Sequence, residues 1–127
     1  MTAPAWIDSA VGEFGRAAGL GSLSLGDRGV AALSFQNGLV LRFEYALDAL
    51  YVAMTVPARL DASAARRLLG YAHPNARFGF RLRAGYLAKS GRAVFAVRLA
   101  DRDVTLPSLN AVFALLWRVA LEFGGAV

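Results

Sequence analysis

The stretch VAALSFQNGLVLRFEYALDALYVAMTVP, residues 30–57, decides the fold. Asn37-Gly38 near its start is the strongest short-range hairpin signal, because both residues tolerate the positive φ that tight hairpin turns demand. Two β-like runs face each other across it, Val30 to Phe35 and Leu39 to Tyr45. In the second run Leu39, Leu41, Phe43 and Tyr45 alternate with Val40, Arg42 and Glu44. In a third, Leu50, Val52, Met54 and Val56 alternate with Tyr51, Ala53 and Thr55. Successive side chains of a strand point to opposite faces, so this period of two describes an antiparallel meander buried on one face. Pro57 ends the third run, since proline cannot donate to the ladder.

Upstream, Pro4 suits a first helical turn, and Trp6, Ile7, Ala10, Val11, Phe14 and Ala18 recur at three- and four-residue spacing, which predicts an amphipathic helix. Gly12 and Gly15 weaken it by up to ~1 kcal/mol each relative to alanine, so it must draw stability from packing. Gly19, Gly21, Gly26 and Gly29 then mark a flexible connection. Downstream, Asp61 is placed to cap a helix from Ala62 to Ala72, stopped at His73-Pro74-Asn75. Phe78, Phe80 and Leu82 alternate with Arg77, Gly79, Arg81 and Arg83, and after a turn at Ser90-Gly91 a run with Phe95, Val97 and Leu99 completes a second hairpin. Thr105, Pro107 and Ser108 open a long helix through Leu109, Val112, Phe113, Leu116, Trp117, Ala120 and Leu121, ended by Gly124-Gly125. The order is α-β-β-β-α-β-β-α. It predicts an α+β fold, helices packed on one antiparallel sheet, with residues 1–127 as a single domain.

With 127 residues the chain can bury a proper core without a metal or disulfide staple. Cysteine is absent, which removes disulfide frameworks, thiolate zinc sites and cysteine nucleophiles, and fits a reducing compartment. The apolar fraction of 57% is high against 18% charged residues, so some apolar surface is expected to meet a partner. The first cation is Arg16, and Asp8 and Glu13 interrupt the early apolar residues, so no secretory signal is visible. Leu109 to Phe123, the most apolar stretch, is short and carries Asn110, Arg118 and Glu122, which argues against membrane insertion. A bacterial cytoplasmic protein is expected.

Catalytic chemistry has little to work with. His73 is the only histidine, which excludes a two-histidine metal site, and its place before proline favours a turn. Gly19-Leu20-Gly21-Ser22-Leu23-Ser24 lacks the third glycine of a dinucleotide loop and follows a helix instead of a strand. Lys89, the sole lysine, sits in no phosphate-loop pattern, and no metal or cofactor is expected.

The net charge of +5 raises nucleic acid or an anionic surface as partner. Alanine, at 25 residues, and arginine, at 13 of 14 cations, also match the bias of GC-rich coding. Between Arg77 and Arg102 seven cations face Asp101 alone, a local +6, and the remaining residues sum to −1. Arg77, Arg81 and Arg83 share one strand parity and form a candidate basic strip opposite Phe78, Phe80 and Leu82. Those phenylalanines fall on the apolar parity and cannot interleave with the arginines as a stacking platform. A basic nucleic-acid-binding module stays open as the alternative function.

Several local patterns match a family in order and spacing from Trp6 to Phe123. They are Phe14-Gly15-Arg16-Ala17-Ala18-Gly19-Leu20 closing the first helix, Gly29-Val30-Ala31-Ala32-Leu33-Ser34-Phe35 as first strand, Leu68-Leu69 closing the second helix with Asn75 soon after, and the apolar terminal helix with Trp117. The chain resembles class I type III secretion chaperones of the Tir-chaperone kind, whose members are typically acidic where this chain is basic. The resemblance implies a non-enzymatic cytoplasmic homodimer that binds the extended N-terminal segment of a secreted effector and delivers it to the export apparatus, with the secretion ATPase as a further candidate partner. It implies a dimer interface at Leu68, Leu69, Tyr71, Phe78, Phe80 and Leu82. It implies effector contacts at Ile7, Val11, Phe14, Leu20, Leu23, Leu33, Phe35, Val40, Arg42 and Tyr51, each of which ordinary core packing would explain as well. Val40, Arg42 and Tyr51 stand apart because their parity places them opposite the main core set.

Overall fold

The computed structural model describes residues 2–72 and 80–125; the expected stop at His73-Pro74-Asn75, together with Arg77 and Phe78, lies outside them. The meander is present as β1 (Val30–Ser34), β2 (Val40–Ala46) and β3 (Ala49–Pro57). A later hairpin supplies β4 (Leu82–Leu87) and β5 (Arg92–Ala100), and the sheet runs β1-β2-β3-β5-β4, antiparallel throughout. β1 and β4 are therefore its two edges.

At Asn37-Gly38 the Gly38 N–H donates to the Phe35 carbonyl at 3.1 Å with Gly38 at φ 88°, and Asn37 Oδ1 accepts from the Leu39 N–H at 3.1 Å. The tighter turn is elsewhere. Leu47 (φ 52°) and Asp48 (φ 57°) alone connect the paired Ala46 and Ala49, the two-residue positive-φ geometry normally given to Asn-Gly.

Three helices, α1 (Ala5–Ala17), α2 (Ala62–Tyr71) and α3 (Leu106–Gly125), pack on one face of the sheet. Ring contacts fix this: Phe14 of α1 meets Phe43 of β2 edge-on at 5.9 Å, and Tyr71 of α2 and Phe123 of α3 meet Phe95 of β5 at 5.4 and 5.6 Å. The alternation selected the correct inward set, since Leu41, Phe43, Leu50, Val52, Met54, Phe95 and Val97 are all buried. No described helix covers the opposite face. By length and composition α3 could cross a bilayer, but Leu109, Val112, Leu116, Val119 and Ala120 are buried as the core helix.

Local chemistry sets the helix ends. Asp61 caps α2 as expected, its carboxylate accepting the Ala64 N–H at 2.8 Å. Thr105 and Ser108 open α3 reciprocally: the Ser108 N–H donates to Thr105 Oγ1 at 3.1 Å and the Thr105 N–H to Ser108 Oγ at 2.9 Å. Arg67 of α2 donates to the Phe123 carbonyl at 2.9 Å and lies over the Phe123 ring at 4.5 Å, which ties α2 to the end of α3.

Two expectations need correction. The glycine-rich connection is built into a specific path: Gly19, Gly21, Gly26 and Gly29 hold φ of 73°, 84°, 61° and 70°, and buried Leu25 donates its N–H to Asp8 Oδ1 at 2.7 Å. The first strand of the second hairpin begins at Leu82, so Phe80 and Arg81 precede it. Pairing propagates from the turn at 88–91, closed by the Gly91 N–H on the Leu87 carbonyl at 2.9 Å, and runs from Leu87 opposite Arg92 to Leu82 opposite Val97.

Candidate functional site

Of the effector-contact residues expected on the helix side, Ile7, Val11 and Phe14 are core. Each is 0% exposed, because α1 spends its apolar stripe on the sheet and on α3, with Phe14 against Phe43 and Phe113. Leu20, Leu23 and Phe35 are half-buried against that core, and Leu33 is half-buried on the edge strand β1. Leu23 is positioned by a close approach, since α1 passes at Gly15 where a Cβ would lie 2.9 Å from Leu23 Cγ.

Beside them lies an apolar seam of which the sequence singled out Leu33 and Phe35 as effector contacts, while Phe113, Trp117 and Leu121 were read only as part of the apolar stripe of the last helix. The Phe35 ring stacks edge-on to Trp117 at 5.0 Å and tilts against Phe113 at 6.4 Å, with Phe113 and Trp117 5.7 Å apart. Phe113, Trp117 and Leu121 stand at i, i+4 and i+8 on one line of α3; the first two are half-buried and Leu121 is 45% exposed. The line ends at an open cleft of about 320 Å³ bordered by Leu39, Val56, Pro57 and Leu121. Leu33 and Phe35 bring the seam to β1, whose outer side has no partner strand among the described residues. The signal was present in the sequence: the apolar stripe of α3 is wider than one sheet contact can cover, so one border had to face outward.

The expected dimer residues divide. Leu68 and Leu82, each 7% exposed, are part of the chain's own core and leave the candidate surface. Leu69 points outward, 72% exposed on a helix otherwise tied down by Leu68 and Ala64. Phe80 and Tyr71 are half-buried, and the Tyr71 hydroxyl donates to Glu122 at 3.2 Å. Burial, then the Glu122 charge and hydrogen bond, raise the Tyr71 phenol above its ordinary 10.0, against the opposing pull of Arg67. Leu87 on the β4 edge, 45% exposed, was not singled out from sequence; it shares with Arg83 the face without helices, on the strand whose other face α2 contacts.

Val40, Arg42 and Tyr51 project from the face without helices, as their parity required. Of the basic strip, Arg83 alone is in a strand, on that same face; Arg81 is exposed just before β4 and Arg77 lies outside the described residues. Among the described residues no cluster of three or more His, Cys, Asp or Glu could hold a metal ion.

Known structures share this architecture. The ExsC–ExsE complex contains a chain superposing with a TM-score of 0.81 at 23% identity, covering 98% of this chain and 95% of that one. The HopA1–SchA chaperone–effector complex gives 0.73 at 19% identity, over 92% and 91%. The Yersinia pestis type III secretion chaperone SycH, bound to a fragment of YscM2, gives 0.70 at 17%, over 92% and 98%. At such identities the likeness establishes the fold. Among curated protein sequences none matches the chain. Nothing in these comparisons points to nucleic-acid binding, the rival raised by the net charge. The family model for the type III secretory system chaperone SycN matches residues 6–123, nearly the whole chain, and the chain belongs to that family.

Proposed function

We propose that the protein acts in the bacterial cytoplasm as a homodimeric chaperone for a secreted effector, masking an extended N-terminal segment of it stoichiometrically and presenting it for export. The observation that carries this reading is the apolar seam of Leu33, Phe35, Phe113, Trp117 and Leu121, which meets the end of the edge strand β1 at Phe35. An extended segment can add to that edge by main-chain hydrogen bonds and place alternate apolar side chains on the seam and in the cleft beyond it. A monomeric domain seldom leaves so continuous an apolar strip without a partner. Masking of this kind needs no bond making.

Leu69 and Leu87, with the free edge of β4, are the proposed contribution to the dimer, and their exposure in the single chain is what a second copy would cover. Co-expression with the N-terminal region of an effector encoded beside it, followed by affinity capture, tests the proposal. The wild type should capture the segment, and Trp117→Ala should lose it by about 2 kcal/mol or more, the scale of an aromatic anchor. Leu69→Asp should yield folded monomer, since an exposed position contributes little to the single chain. A wild-type monomer that captures nothing would overturn the reading.

A further inference from the structure

The face of the sheet opposite the helices has a charge pattern that the seam does not explain. One row crosses it from strand to strand: Arg42 lies opposite Ala53, Ala53 opposite Ala96, and Ala96 opposite Arg83. Two alanines thus make a shallow trough with a guanidinium at each end, three inter-strand steps or roughly 14 Å apart. Arg98 stands opposite Tyr51 and diagonal to Arg83 on the same face, about 7–8 Å away at the backbone. Both arginines are exposed, and neither has an ion pair or hydrogen bond among the described residues. Like charges set diagonally on a sheet repel, so this pair works against the fold unless an anion joins it. The one carboxylate nearby, Glu44, is taken by Arg42 at 3.4 Å. That half-exposed pair is weak and can exchange for a ligand carboxylate. Arg92, by contrast, is used internally, donating through Nε to Thr55 Oγ1 at 2.8 Å and through Nη2 to the Thr55 and Gly38 carbonyls.

We infer that this face docks an acidic protein segment, two carboxylates bracketing small apolar side chains. An extended chain covers the roughly 14 Å between Arg42 and Arg83 in four residues, which spaces the two acids at i and i+4. Single-stranded nucleic acid is the poorer fit. Its evenly spaced phosphates would fall on Ala53 and Ala96, and among the described residues Tyr51 is the only aromatic ring there to stack a base. The surface is distinct from the helix-side seam, so either can fail without the other.

The test uses a fluorescein-labelled peptide with two Glu four residues apart and Ala and Val between them, its Gln counterpart, and a single-stranded DNA of similar length. Fluorescence anisotropy on the full chain at low salt should show the Glu peptide binding in preference to the Gln peptide and the DNA. The Arg83→Glu/Arg98→Glu double variant should weaken it about ten-fold or more, two exposed charge pairs together. The charge-matched Arg16→Glu/Arg118→Glu control alters exposed residues on the helix side and should bind as the wild type does. Equal binding of both peptides, equal loss in the control, or preference for the DNA would overturn the inference. A changed oligomeric mass in the Arg83→Glu/Arg98→Glu variant would assign the face to a second copy and overturn it too.

Discussion

Gly15→Ala should destabilise the chain although alanine is the better helix former. On propensity alone the change would add about 1 kcal/mol to α1. The new Cβ, however, would lie 2.7 Å from the Gly21 carbonyl oxygen, 2.9 Å from Leu23 Cγ and 3.0 Å from Leu23 Cδ1, where ordinary contacts begin near 3.5 Å. The obstruction is backbone, so no rotamer relieves it. Gly21 cannot simply withdraw, because Gly19 and Gly21 hold positive φ and the Leu20 N–H is bonded to the Gly15 carbonyl at 2.7 Å. Overpacking of this kind costs about 1–3 kcal/mol, which outweighs the propensity gain and leaves a net loss of about 1 kcal/mol. For a chain of 127 residues that is a fall in Tm of about 4 °C. Gly70→Ala is the control, since α2 leaves that position open, nothing lying within 4 Å, and it should rise by about 0.5–1 kcal/mol. Calorimetry on the three proteins decides the matter. If Gly15→Ala gains as much as Gly70→Ala, the close approach of α1 to the Leu20–Leu25 connection is wrong, and with it the placement of Leu23 beside the seam.

Asp8→Ala removes the acceptor of the Leu25 N–H and should cost about 1–3 kcal/mol in urea denaturation, because the donor sits on a buried residue; an unchanged midpoint would count against that role. Replacing Leu47-Asp48 with Asn-Gly should raise stability by about 1 kcal/mol or more, relieving a leucine at φ 52° that is 73% exposed. Burial and then Asp48 and Asp101 raise the Tyr45 phenol, and burial and Glu122 raise Tyr71, both above 10.0. The folded state therefore holds these protons more tightly than the unfolded state. Their contribution is full below pH 10.0 and declines as pH rises through the raised values. Denaturation midpoints should fall above that pH, and the fall should flatten in Tyr71→Phe.

The meander was legible because Leu41, Phe43 and Tyr45 and then Leu50, Val52 and Met54 keep a strict period of two, which only a sheet with one buried face rewards. Asp61 was legible as a cap for the same local reason. The Leu47-Asp48 turn was not, since neither residue favours positive φ and the flanking pairing imposes it. The β4 boundary was misplaced because Phe78 to Arg83 alternates as a strand would, while pairing with β5 from the turn decides where the ladder runs. Among site residues, sequence separated Val40, Arg42 and Tyr51 onto the correct face but could not tell Ile7, Val11 and Phe14 from surface. One helical stripe reads alike whether it meets a sheet or a client. Phe113 and Trp117 had only the width of the α3 stripe as a signal, and the ring contacts of α3 with Phe35, just past β1, turn them into a border.

In the proposed mode of binding a client segment joins the sheet at β1 and lies along the Phe35–Trp117 seam. Hydrogen–deuterium exchange on the captured complex, compared with the free chain, tests it most directly. Amides of residues 30–35 should slow markedly when the effector segment is bound, with protection extending to the α3 residues beside Trp117. A complex that forms while exchange along β1 stays as fast as in the free chain would contradict the account.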